Sequence, residues 1–129
     1  MMNEFKTGLP GSLELAYLGD TVYDLYVRRQ LVMQGGRVNR MHKAAVAKVC
    51  AKAQSQALRR LEPGLTPQEA DVVRRARNAR QTPPRNADAA DYHRATALEA
   101  LIGYLYLTGQ QARMEALIRL ALEETEDEE

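Results

Sequence analysis

One cysteine, two histidines, one phenylalanine and no tryptophan occur in 129 residues, and each scarcity removes a class of chemistry. Cys50 has no partner for an internal disulfide and cannot make a metal site by itself, so it reads as a packed thiol. His42 and His93 are too few for a histidine metal cluster. Aromatic residues make up only 5% of the chain, so there is little with which to stack the bases of a single strand. No apolar run reaches the roughly 18 residues of a membrane span. The start, MMNEFKTGLPG, has no apolar stretch behind a basic one. These two absences predict a cytoplasmic protein with no membrane partner. Ser-His-Asp and Cys-His arrangements are missing, as is a glycine-rich phosphate loop ahead of a helix.

What is present is the composition of one soluble domain, 45% hydrophobic and 27% charged. Its periodicity predicts an all-α chain of about five principal helices with no strand. Ser12 is a candidate N-cap for the first, which runs to about Met33 and stops at Gly35-Gly36. Asn39 can cap a second over residues 40–61, where small residues alternate with Lys43, Lys48, Lys52, Arg59 and Arg60. Thr66-Pro67-Gln68-Glu69 joins a cap, a proline at the first helical position and an acid three residues after the cap, and it starts a helix to about Asn78. Helices over residues 90–108 and 110–122 complete a domain spanning 1–122. Residues 123–129 form an acidic tail.

The charge is unevenly spread. The tail holds six of the seventeen acids, so residues 1–122 carry 18 positive against 11 negative charges, a net +7. Residues 28–94 carry 15 against 5, a net +10. Such a body suits a polyanion better than a merely solvated surface would require. His42 beside Lys43 can meet a phosphate, and Lys52 extends the basic flank. The aperiodic loop after residue 77 offers guanidinium forks from Arg77, Arg80 and Arg85 and amides from Asn78 and Asn86, with Arg94 close behind.

Two stretches set the problem of the chain. LELAYLGDTVYDLYV, beginning at Leu13, is apolar on every helical face yet holds Asp20. ATALEALIGYLYL, beginning at Ala95, is similar and holds Glu99. A helix apolar all round is expected to be buried, and a buried carboxylate needs a cation or hydrogen bonds. From composition alone two readings stand side by side: each acid satisfied separately by an arginine or a backbone cap, or both acids sharing a metal. Gly19 within the first helix is unfavourable by about 1 kcal/mol against alanine, which a close approach by another helix or a ligand would explain. Gly103, four residues after Glu99, invites the same reading, and the two glycines are expected to face one another.

The residue order favours the metal. Leu-Gly-Asp-Thr-Val around Asp20 and Leu-Glu-Ala-Leu-Ile-Gly around Glu99 closely resemble the two signature segments of the ribonuclease III family, in the family's order. Nothing after them resembles that family's double-stranded RNA-binding domain, and this points to the Mini-III branch. The resemblance implies a ribonuclease III-type endonuclease domain acting as a homodimer on double-stranded RNA, the stem of precursor 23S ribosomal RNA. It also implies Asp20 and Glu99 as catalytic residues and ligands of Mg2+, with Mn2+ as a substitute. Classical members carry one more acid four residues before the Asp and another three before the Glu; here these positions are Ala16 and Thr96. Two other functions compete: a non-catalytic dimer of the same fold that holds structured RNA, and a helical dimer whose basic face meets an acidic protein. Retention of an acid in each apolar helix argues against the first; incubation with duplex RNA, with magnesium and then with chelator, separates all three.

Overall fold

The computed structural model describes residues 8–123, so most of the acidic tail lies outside the described residues. Every regular element among those residues is helical: α1 (Ser12–Gln34), α2 (Val38–Val49), α3 (Ala51–Leu61), α4 (Pro67–Arg77), α5 (Ala89–Leu107) and α6 (Gln111–Ala121), with a 3-10 turn at Glu62–Gly64. Helix α5 is the axis, packed against α1, α3, α4 and α6. Its Leu98, Leu101, Ile102 and Leu105 are fully buried, so the expectation from its unbroken apolar sequence holds. None of the helices described is long and apolar enough to cross a membrane.

The α1–α5 crossing is backbone against backbone. A Cβ built on Gly19 would lie 1.7 Å from the Glu99 carbonyl oxygen, and one on Gly103 would lie 2.1 Å from that of Leu15. No side chain fits at either position, and the two glycines do face one another. The helix starts are equally specific. Thr66 Oγ1 accepts from the Glu69 amide at 3.1 Å while Glu69 accepts from the Thr66 amide at 2.9 Å. The Glu69 carboxylate, almost wholly buried, also receives Nε and Nη2 of Arg113 at 2.9 and 2.8 Å, which ties α4 to α6. That guanidinium holds the Glu69 carboxyl below the usual range.

Several expectations need correction. The helix expected over residues 40–61 is two, broken at Cys50, whose backbone is extended (φ −67°, ψ 159°). The break is satisfied locally: the Gln54 amide bonds the Cys50 carbonyl at 3.0 Å, and Gln54 Nε2 caps the Val49 carbonyl at 3.0 Å. The bend leaves the Cys50 thiol exposed rather than packed. Gly11, not Ser12, caps α1, its N–H held by Glu14 at 2.7 Å, and α2 begins after Arg37 rather than at Asn39. Nor is α1 covered on every side, since Tyr17 is 85% and Leu25 61% exposed.

The glycine crossing generates a sharp expectation. Gly19→Ala or Gly103→Ala gains about 1 kcal/mol in helix propensity but forces two backbones apart, for a net loss of roughly 2–3 kcal/mol or more. Urea denaturation measures it; a midpoint equal to that of the unsubstituted protein would mean that the helices do not touch there.

Candidate active site

Asp20 follows Gly19 directly, and Glu99 lies one helical turn before Gly103, so the closest point of the crossing sets the two acids at one place. Both line a cavity of about 500 Å³ whose walls come from α1, α3, α5 and the loop after α4. The expectation of two acids meeting is met, but their environments differ. Asp20 is exposed at the mouth rather than buried, whereas Glu99 is half-buried. Burial and then the neighbouring Asp20 charge push Glu99 up to about 8, against a smaller opposing effect of a hydrogen bond from Gln54. Among the described residues, no lysine, arginine or histidine lines the cavity. Separate pairing of each acid with an arginine is therefore not what this cavity provides.

Ala16 and Thr96 line the same cavity, as their helical offsets from Asp20 and Glu99 require. The methyl of Ala16 leaves space where a longer acid would reach. The Thr96 hydroxyl donates to the Tyr92 carbonyl at 3.1 Å, so only its lone pairs remain for anything bound in the cavity. No cluster of three or more histidine, cysteine or acidic side chains suited to a metal occurs among the described residues. Two carboxylates from different helices, held together without a neutralising side chain, nevertheless fit a hard divalent ion that takes oxygen ligands and keeps several waters.

The basic residues do not enter this cavity. Arg80, Arg85 and Asn86 are exposed on the loop between α4 and α5, and Asn78 is exposed at the end of α4. That loop reaches the cavity through Gln81. Arg77 lies 3.7 Å from Glu62 and is partly committed to it. Arg94 is half-buried near the start of α5, and Lys52 is exposed on α3 directly after Ala51, a lining residue. Lys43 is exposed on α2, and His42 borders a different cleft, beside Arg28, Val38 and Met41. The loop set thus flanks the acids, whereas His42 does not share their cavity. Sequence reasoning missed Gln54, which is 1% exposed and lines the acidic cavity. The signal was present: residues 54, 55, 57, 58 and 61 form the buried face of α3, and one of them is a glutamine.

Comparison with known proteins agrees with this architecture. The Ribonuclease III domain family matches residues 13–110. A Mini-ribonuclease 3 from Symbiobacterium thermophilum is 49% identical over 111 residues, 84% of this chain and 85% of the relative. One from Brevibacillus brevis is 45% identical over 122 residues, 93% of this chain and 91% of the relative. A crystal structure of a Fusobacterium nucleatum protein superimposes with a TM-score of 0.81 at 33% identity, covering 87% of this chain and 93% of that one. The chain belongs to the ribonuclease III family of RNA endonucleases, in its Mini-ribonuclease III branch.

Proposed function

We propose that the chain is a magnesium-dependent endoribonuclease that cuts double-stranded RNA, with Asp20 and Glu99 as the cation-holding acids. One observation carries this reading: two carboxylates share a cavity that, among the described residues, has no cationic side chain in its walls. When bound, Mg2+, or Mn2+ in its place, supplies positive charge to the scissile phosphate and lowers the pKa of the attacking water. Burial and the Asp20 charge push the Glu99 carboxyl up to about 8, and a cation held between the two acids would favour its charged form. Asp20, the more exposed of the two acids, would be the one nearer an approaching phosphate. Products with a 5′-phosphate and a 3′-hydroxyl, and the stem of cytoplasmic precursor 23S ribosomal RNA as substrate, follow from kinship with the Mini-III branch.

Duplex RNA suits the surface as well. A-form RNA is read by shape through its phosphates and 2′-hydroxyls, which needs exposed basic and amide groups rather than aromatic platforms. Arg80, Arg85 and Asn86 on the flanking loop meet that need. A duplex has two strands, and two sites are supplied by a second copy of the chain. The apolar face left open on α1 and α5 supports a homodimer: Tyr17, Leu25 and Tyr106 are exposed there. Leu18, Leu25, Tyr106 and Met114 line a further apolar groove of about 530 Å³ on the same side.

Three outcomes test this reading. Asp20→Asn and Glu99→Gln should each reduce magnesium-dependent cleavage of a labelled duplex by about 100-fold or more, the range for loss of one main electrostatic contributor, while leaving circular dichroism unchanged. Turnover in the presence of chelator would remove the metal from the mechanism. Replacing both Arg80 and Arg85 with alanine should weaken duplex binding and lower the slope of log affinity against log salt by roughly 1 for each phosphate no longer bound. Arg77→Ala should do less, because Glu62 already occupies it; an unchanged slope in the double variant would place RNA on another face. Sedimentation equilibrium should find a dimer that Leu25→Asp converts to monomer, and a monomeric unsubstituted protein at tens of micromolar would overturn the assembly.

A further inference from the structure

Gln54 is the polar side chain that the acid-pair mechanism leaves unexplained. It is 1% exposed, and its Oε1 has no hydrogen-bond partner among the described residues. An amide can usually be turned over to exchange its oxygen and nitrogen, but here the Val49 carbonyl opposes it. Nε2 donates to the Val49 carbonyl at 3.0 Å. Turning the amide would set oxygen against oxygen at Val49. Oε1 is therefore held without a donor, on a side chain that lines the cavity containing both acids. Gln81, from the flanking loop, brings a second buried and unpartnered Oε1 to the same cavity.

A buried oxygen with no donor is ordinarily a fault, and two around one cavity call for a ligand that takes lone pairs. Water is one such ligand, but the carboxylates beside these amides call for positive charge. A magnesium ion approaches oxygen to about 2.0–2.1 Å, nearer than a water molecule does, so an oxygen without a water is not thereby closed to the ion. We infer that Gln54 Oε1 is a third, neutral oxygen donor of the divalent-cation site formed by Asp20 and Glu99. This inference rests on the reading of those two acids given above. A neutral donor shapes the site without adding charge, and it comes from α3, so the ion joins three helices rather than two. The extended residue at Cys50 is what brings it there, because the break between α2 and α3 places Gln54 under the Val49 carbonyl.

Binding of Mn2+ to the RNA-free protein, followed by electron paramagnetic resonance, tests the assignment without reference to activity. Gln54→Met, which keeps length and removes the oxygen, should weaken Mn2+ by roughly tenfold, as loss of a supporting metal-site group typically does. Gln54→Glu loses the donor to Val49 but restores an oxygen with charge, and should bind Mn2+ more tightly than the unsubstituted protein. A role confined to capping α2 predicts instead a lower Tm for both variants and tighter binding for neither; that result would overturn the inference. Asp20→Asn is the control arm. If it loses Mn2+ while Gln54→Met keeps full affinity, the inference fails and the two-acid site stands; if neither loses affinity, both fail. Should the variants not fold, the unsubstituted protein gives the answer: Mg2+ should shift the Gln54 Cδ resonance together with the Asp20 and Glu99 carboxyl carbons. A Gln54 Cδ that stays still while those carbons move would refute the assignment.

Discussion

Two backbones in contact govern this molecule. At Gly19 and Gly103 the helices α1 and α5 approach until a single methyl on either would overlap a main-chain carbonyl. Interhelical distance is normally set by side chains, which tolerate adjustment of some tenths of an ångström. Here it is set by peptide groups, which do not. The acids adjoin the crossing, one residue from Gly19 and four from Gly103, so their separation inherits its rigidity. The sequence motif around Asp20 is thus a packing motif as much as a chemical one. Its glycine determines where the carboxylate stands.

That arrangement explains why some features are legible in the residue order and others are not. Gly19 and Gly103 stand out because a glycine in the middle of an apolar helix is unfavourable unless something lies against it. Thr66 and Glu69 are local, since a capping box needs only four residues. The break at Cys50 is not local in this sense. Nothing in Val49-Cys50-Ala51 forbids a continuous helix, and the extended residue persists because the Gln54 side chain, five residues on, takes up the Val49 carbonyl. The open face of α1 escapes the pattern for another reason. Apolar residues all round a helix indicate burial but not by what, and Tyr17 and Leu25 lack a cover among the described residues of one chain.

Electrostatics divides the molecule in two. Outside, Arg80, Arg85 and Lys52 are exposed and available to a polyanion. The cavity walls, among the described residues, hold carboxylate and amide oxygens and no cationic group. The two zones complement each other toward the same ligand, since a phosphodiester brings negative charge to the basic rim and its accompanying cation brings positive charge to the acids. The unfavourable part in the bare state is the cavity, where burial and the Asp20 charge raise Glu99; the exposed rim arginines are solvated.

The substitution pattern then acquires a physical meaning. At Ala16 and Thr96 the cavity gives up carboxylates that classical relatives supply, and Thr96 turns its hydrogen inward to the Tyr92 carbonyl. Each further acid would add repulsion to a site where burial and a neighbouring carboxylate already raise Glu99 well above its ordinary range. A glutamine avoids that penalty, because its oxygen carries only a partial charge and its nitrogen is held by the Val49 carbonyl. On the function proposed above, such a site would bind its ion less tightly before substrate arrives and would depend more on phosphate oxygens to complete it. Ion and RNA affinities must then be coupled, and by linkage the coupling is equal in both directions. Under that proposal the substrate would control the cavity, because it would bring both the missing ligands and the charge that keeps the cation in place.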